Sequence, residues 1–304
     1  MNVKLFTHID LDGIGCGIIG RLAFENIDIE HCNYNDIDEK IQEFIKNNKD
    51  NFDKVFITDI SVNAETADMI HKNYQEDSEL FLNHFVLLDH HPTALWLNKY
   101  NWCKIQIEDN LEKTCGTKIF YDLLKKYNYI KYNETLDTFV EKVKRYDTWL
   151  WKEKYNDKTS KILNDLFYIY GKERFIKNMI YKIKSNINLL SISDLEVIDL
   201  EQDRIDRYIK SKAEKMTIKK MKLDRVYKFG IVTGEQHISE MGNRLAEKNP
   251  DLDFIAIVNF NTVSLRTVKD DVNVGIIAEH FKGGGHPKAS GFSHKVDLND
   301  IFNI

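Results

Sequence analysis

The sequence predicts an α/β protein: an N-terminal, mostly parallel sheet flanked by helices over residues 1–150, a helical connector over 151–225, and a smaller C-terminal α/β domain over 226–304. Three observations carry this reading. Short β-rich runs alternate with helical stretches over the first 110 residues; from about Thr114 to Met221 the apolar spacing turns helical; beyond Tyr227 the alternation resumes.

The first region reads in order as VKLFTH followed by a helix from about Gly13, IDIEHCNY followed by a helix from about Asp36 to Asn48, KVFITDI followed by a helix from about Asn63 to Tyr74, then FVLLDHH and CKIQIE. In such parallel sheets, ligands gather at the carboxyl ends of the strands, where loops turn into helices. The helical stretch rests on spacings such as Ile119, Leu123 and Leu124, then Leu136, Phe139, Val140 and Val143. No proline occurs between Pro92 and Pro250, so a helical connector is expected rather than a flexible linker. The last region reads as VYKFGIVTG, a helix near Ile238 to Lys248, FIAIVNF, TVSLRTV, a helix near Val274 to Phe281, and the glycine-rich GGGHPKASGF.

Length and composition bound the possibilities. A chain of 304 residues exceeds what one core usually organises, which favours two domains. With 42% apolar and 30% charged residues it has too many core-forming side chains for a disordered polymer. No apolar run approaches the roughly 18 to 20 residues that span a bilayer, and MNVKLFTHID lacks a signal peptide's basic start and apolar stretch. No membrane association and a cytoplasmic location are therefore expected. Cys16, Cys32, Cys103 and Cys115 form no Cys-x-x-Cys pair, which predicts buried reduced thiols rather than a zinc knuckle or disulfides. A net charge of -5 suits small anionic substrates better than long duplex DNA, whose binding rewards a basic surface. Arg204 to Lys228 does hold ten Lys/Arg against three Asp/Glu, either a solvated face or a region that attracts phosphate.

Acids and histidines collect at predicted strand ends. VKLFTH runs into His8, Asp10 and Asp12, alternate residues that share a face in an extended segment and supply imidazole and carboxylate ligands suited to manganese, with zinc or iron also compatible. Alone, this segment could simply cap the next helix. Asp59 ends VFITD and could likewise be a cap. Asp89, His90 and His91 follow Val86-Leu87-Leu88; adjacent histidines diverge, so one can bind metal while the other faces substrate. Asp147 adds an acid from the helical region, in RYDTWLW. Eight of the fourteen glycines cluster at Gly13, Gly15, Gly17 and Gly20 and at Gly283, Gly284, Gly285 and Gly291, marking tight turns or close approach to a ligand.

Taken together, His8-x-Asp10-x-Asp12-Gly13, Asp59, Asp89-His90-His91 and Asp147 resemble the four signature motifs of the DHH phosphoesterase superfamily. Ser264-Leu265-Arg266 and Gly283 to Gly291 (GGGHPKASG) resemble its DHHA1 substrate-binding domain. The resemblance covers essentially the whole chain. It implies a DHH catalytic domain and a DHHA1 domain with an active-site cleft between them, and two divalent metal ions, manganese by preference. One ion would be held by His8 and Asp10, the other by Asp12, His90 and Asp147, with Asp59 bridging. Two such ions, roughly 3.5 to 4 Å apart, activate a bridging water as hydroxide and neutralise phosphoryl charge. Asp89 is then expected to support neighbouring ligands and His91 to face substrate as a hydrogen-bond donor or general acid. Arg266, Gly283, Gly284, Gly285 and His286 are expected to hold a substrate phosphate.

Within the superfamily, a two-domain chain most resembles nanoRNase-type oligoribonucleases, which act on short single-stranded oligonucleotides and linear dinucleotides and yield mononucleotides. The alternatives are a RecJ-like single-strand DNA 5'-exonuclease, a hydrolase of 3'-phosphoadenosine phosphate or cyclic dinucleotides, and an inactive nucleotide-binding module. The complete ligand set argues against the last. A homodimer is one assembly the sequence leaves open.

Overall fold

The computed structural model describes residues 1–47, 51–74 and 79–293. The chain divides into two compact units, Met1–Ile198 and Asp199–Ile304. The first opens with β1 (Asn2–His8), α1 (Leu11–Ala23), β2 (Asn26–Cys32), α2 (Ile37–Asn47), β3 (Lys54–Thr58), α3 (Ala64–Asn73), β4 (Phe85–Asp89) and β5 (Cys103–Ile105). A short hairpin, β6 (Glu108–Asp109) and β7 (Glu112–Lys113), leads into α4 (Gly116–Lys126), α5 (Glu134–Asp147), α6 (Leu150–Glu153), α7 (Lys158–Tyr170) and α8 (Lys172–Lys184). Then α9 (Ile192–Ala213) runs from the first unit into the second. Asn48, the expected end of the second helix, lies outside the described residues.

The five strands form an all-parallel sheet in the order β2-β1-β3-β4-β5. Strands β3 and β4 are buried along their whole length because both faces are covered. Alternate residues divide accordingly. Val3, Leu5, Phe56, Val86 and Leu88 enter one core with α1, α4, α5, α7 and α8, while Phe6, Val55, Ile57, Phe85 and Leu87 enter another with α2 and α3. The connector expected over 151–225 is thus divided. Leu163, Leu166, Phe175 and Met179, from α7 and α8, are core residues of the first unit, so that stretch packs rather than bridges.

The second unit continues with β8 (Thr217–Lys222), β9 (Val226–Thr233), α10 (Ile238–Lys248), β10 (Phe254–Val258), β11 (Thr262–Arg266), α11 (Val274–His280), β12 (Gly284–His286) and β13 (Ala289–Ser293). Its sheet order is β12-β13-β11-β10-β9-β8, with only β9 and β10 parallel. Residues 294–304, the end of the expected C-terminal domain, lie outside the described residues. One expectation is corrected: helix does not persist to Met221. TIKKMK forms β8, paired antiparallel with β9 through the Leu223-Asp224-Arg225 turn, because the backbone of β9 offers it a ladder from Thr217↔Ile231 to Lys222↔Val226. Half of the basic run therefore belongs to a hairpin. Among the described residues, no helix is long and apolar enough to cross a membrane.

Candidate active site

The register of the first sheet explains why distant residues meet. Thr7 pairs with Thr58, and Thr58 with Leu88, so the next residue on each strand, His8, Asp59 and Asp89, falls at the same carboxyl edge. That edge flanks β1 and β3, where the strand order reverses, the usual place for a ligand crevice in an open α/β sheet. Beneath it Thr58 donates to Thr7 Oγ1 at 2.9 Å and Thr7 donates to the Gly13 carbonyl at 3.1 Å, tying the strands to the start of α1. Gly13 permits this approach, since a Cβ there would lie 2.1 Å from the His8 carbonyl oxygen.

Asp10 caps α1, its Oδ1 accepting from the Gly13 N–H at 3.1 Å, and its Oδ2 lies 2.9 Å from His8 Nδ1. The capping reading and the ligand reading of this residue thus coexist. Asp59 is no cap, because Asn63 caps α3. Its backbone sits at φ 57, and its N–H donates to the Leu88 carbonyl at 3.0 Å. The Asp59 carboxylate lies between two groups of side chains: Oδ2 is 3.9 Å from His8 Nδ1, and Oδ1 is 3.2 Å from His90 Nε2. His90 Nε2 also lies 3.5 Å from Asp147 and 3.6 Å from Asp12. Asp89, fully buried, accepts at Oδ1 from the His90 N–H at 2.7 Å and the His91 N–H at 3.3 Å, and contacts His91 Nδ1 at 2.7 Å.

Three sets, His8/Asp10/Asp59, Asp12/His90/Asp147 and Asp59/Asp89/His90/His91, each bring ligand atoms within 4.8 Å of one another and could hold a metal ion. Without a cation the cluster is under electrostatic stress. Burial, then the charges of Asp12 and Asp10, push the Asp59 carboxyl well above its usual pKa, and burial with Asp12, Asp10 and Asp89 does the same to Asp147. For Asp10, burial opposes ionisation but the hydrogen bond and attraction to His8 outweigh it, and its pKa falls. The hydrogen bond to Asp89 raises the pKa of His91 against its partial burial. Asp59 Oδ2 and Asp89 Oδ2 are buried without a hydrogen-bond partner. Unpaired ligand atoms of this kind within an acidic cluster fit a bound cation.

Sequence reasoning missed several contributors. The amides of Gly116 and Thr117, at the start of α4, donate to the two Asp12 carboxylate oxygens at 2.6 and 2.8 Å, and Thr117 Oγ1 donates to the Asp12 carbonyl at 2.6 Å. The N-terminal residue of α4 has no side-chain cap of its own, so Asp12 satisfies those amides. Tyr34 stands over the site, its ring 4.8 Å from that of His8 and its hydroxyl 3.4 Å from His91 Nε2. Burial, then Asp59 and Asp89, raise its pKa to about 12, so it remains neutral. His31 Nδ1 lies 3.1 Å from the His8 carbonyl oxygen. None of these belongs to an acid or histidine run, and the one local signal that could have drawn attention to them is the glycine of Thr114-Cys115-Gly116-Thr117.

In the second unit the glycine-rich segment forms a hairpin, with Gly284 opposite Gly291 and His286 opposite Ala289. Close strand approach explains two of its glycines: a Cβ on Gly283 would lie 2.2 Å from the Gly291 carbonyl oxygen, and Gly285 has φ 141. Gly284 and His286 are exposed. Arg266 donates to Ser239 Oγ at 3.0 Å and the Leu265 carbonyl at 2.9 Å, and among the described residues it has no carboxylate partner. Partial burial lowers its pKa.

No family model matches the chain. Among solved structures, that of the exonuclease RecJ bound to manganese shares the fold, with a TM-score of 0.54 at 12% identity over 99% of this chain and 88% of that one. Among characterised proteins, the chain is 27% identical to the 3',5'-cyclic-nucleotide phosphodiesterase of Helicobacter pylori (strain ATCC 700392 / 26695), over 100% of its own length and 95% of that protein. It is 37% identical to Oligoribonuclease NrnB of Bacillus subtilis (strain 168), over 98% of its own length and 74% of that protein. The chain belongs to the DHH/DHHA1 phosphoesterases, in the family of Oligoribonuclease NrnB.

Proposed function

We propose that the chain is a manganese-dependent phosphodiesterase that hydrolyses short oligonucleotides, linear dinucleotides included, to mononucleotides. The observation that carries this reading is Asp59, whose two oxygens face His8 on one side and His90 on the other within one buried acidic cluster. The names of the two relatives, an oligoribonuclease and a cyclic-nucleotide phosphodiesterase, support the substrate class.

His8, Asp10 and Asp59 would hold one divalent ion, and Asp59, Asp12, His90 and Asp147 a second. Bound there, divalent ions lower the pKa of a water and neutralise charge on the phosphoryl oxygens. Asp89 fixes the His90-His91 backbone and orients the His91 ring. His91, its Nδ1 held by Asp89 and its pKa raised, presents Nε2 as a proton donor to a phosphoryl or leaving oxygen. Arg266, whose guanidinium lacks an acid partner among the described residues, and His286, with Gly283, Gly284 and Gly285, would hold a substrate phosphate. Four buried free thiols suit a reducing compartment, and the cytosol is where short RNA products arise.

The test is hydrolysis of labelled two-, five- and twenty-nucleotide RNA and DNA, cyclic dinucleotides and adenosine 3',5'-bisphosphate by the purified chain with manganese. Fastest turnover is expected on two- to five-nucleotide RNA. Preference for the twenty-nucleotide DNA would replace this reading with a RecJ-type one, and binding without turnover would leave only a nucleotide-binding module.

A further inference from the structure

Directly after Asp147 the backbone does something its sequence does not favour. Helix α5 ends with Thr148 as its C-cap, and Trp149 follows at φ 66, ψ 1, in the left-handed region. Past a helix end that conformation ordinarily belongs to glycine, or to asparagine, because a Cβ there is strained. Here an indole occupies it. Burial in a core does not account for this, since Trp149 is 48% exposed; its nearest aromatic neighbour, Trp151, meets it edge-on at 5.6 Å. Bulky residues held in strained conformations gather where ligands bind.

Trp149 also lines a cavity of about 340 Å3 together with His90, Asp147, Thr114, Thr148 and Lys113. Two of these residues belong to the acidic cluster, so whatever enters the cavity lies beside it. Its chemistry is mixed: an indole, the apolar side chains of Pro92 and Ile107, two threonines, of which Thr148 donates its hydroxyl to the Lys144 carbonyl, and an ammonium. The Lys113 side chain makes no ion pair or hydrogen bond among the described residues. An aromatic surface, hydroxyl groups and an uncommitted cation match the three parts of a nucleotide, its base, sugar and phosphate. The volume lies at the small end of the roughly 300 to 1,000 Å3 of ligand pockets, which suits one nucleotide and not a duplex.

We infer that this cavity is a nucleotide subsite in which Trp149 stacks on a base of the substrate and Lys113 pairs with an adjacent phosphate. The inference rests on the reading of the chain as an oligonucleotide hydrolase and adds a determinant of single-strand selectivity to it. A base face can reach the indole only when unpaired, and stacking of this kind tolerates any base.

The experiment compares Trp149→Asn, Trp149→Phe and Lys113→Ala with the unaltered chain. Asparagine accepts the left-handed backbone and removes the ring, whereas phenylalanine keeps a stacking surface. KM for an RNA dinucleotide is expected to rise about 5- to 100-fold in Trp149→Asn, the span seen when a base loses an aromatic platform, and to recover in Trp149→Phe. Manganese binding by calorimetry should stay near that of the unaltered chain in both, and Lys113→Ala should weaken the salt dependence of KM. A KM in Trp149→Asn within twofold of the unaltered chain would overturn the subsite. Calorimetry with AMP separates this outcome from failure of the functional reading. If the unaltered chain hydrolyses no oligonucleotide but binds AMP, and Trp149→Asn does not, the subsite stands while the hydrolase reading falls; if the unaltered chain binds neither AMP nor dinucleotide, the subsite falls.

Discussion

Replacing Gly116 with alanine tests how the acidic cluster is held. The new Cβ would meet Asp59 Cβ at 2.6 Å, Asp59 Cα at 3.0 Å and Asp12 Oδ2 at 3.0 Å. Backbone is among those atoms, so the start of α4 must move away from Asp59, and it carries the two amides that bind the Asp12 carboxylate. Two effects on stability oppose each other. Overpacking costs about 1–3 kcal/mol, and alanine recovers up to about 1 kcal/mol of helix propensity. The net loss is therefore about 0–3 kcal/mol, and the chain stays folded. Manganese affinity should suffer more, falling about 10- to 100-fold, as when outer partners of metal ligands are disturbed. Titration calorimetry on chelator-treated protein measures it, with Gly284→Ala as the control, because nothing lies within 4 Å of a Cβ at that position. A manganese Kd in Gly116→Ala within twofold of the unaltered chain would refute the argument that α4 positions Asp12.

Asp59→Asn should abolish hydrolysis yet raise the stability of the metal-free chain by about 0.5–2 kcal/mol, since it removes a buried charge from a repelling cluster and asparagine tolerates the backbone at φ 57; equilibrium denaturation in chelator beside a turnover assay reads both. Manganese at about 100 times its Kd should stabilise the native state by about 2.7 kcal/mol, which raises the melting temperature by about 5–10 °C. In chelator, Asp59 and Asp147 have folded pKa values above their unfolded ones, so their stability is full at acid pH and lost as pH rises through the folded values. The melting temperature should then decline with pH above the ordinary carboxylate range, and manganese should flatten that decline; a pH-independent melt in chelator would contradict it. Arg266→Ala and His286→Ala should raise KM for a dinucleotide about tenfold or more, the loss of a charge-assisted hydrogen bond, and leave manganese binding intact.

Much of the fold was legible because a doubly covered parallel sheet writes itself as apolar runs separated by helices, and three of those runs, β1, β3 and β4, lead into residues of the acidic cluster. His8, Asp59 and Asp89 stood at the ends of expected strands and gained meaning only as a set, and the sheet register supplies the reason they meet. What could not be read depends on contacts across long stretches of chain. Gly116 and Thr117 bind Asp12 from more than a hundred residues away and carry no charge to advertise it. Helices α7 and α8 looked like a bridge because amphipathic spacing shows that a helix buries a face, not which surface it buries it against. Strand β8 was hidden by its three lysines, which read as helix surface, and its place is set by pairing with β9 rather than by its own pattern.

The distance along the chain between Asp12 and its partners on α4 also orders events during synthesis. A ribosome releases His8, Asp10 and Asp12 early, Asp89 to His91 much later and Asp147 last of these. The cluster has no complete ligand set until nearly half the polypeptide has emerged. A nascent chain, or one terminated before Asp147, therefore lacks part of the cluster, and any cut between α1 and α5 that lets the pieces part would dismantle it without touching one of its side chains.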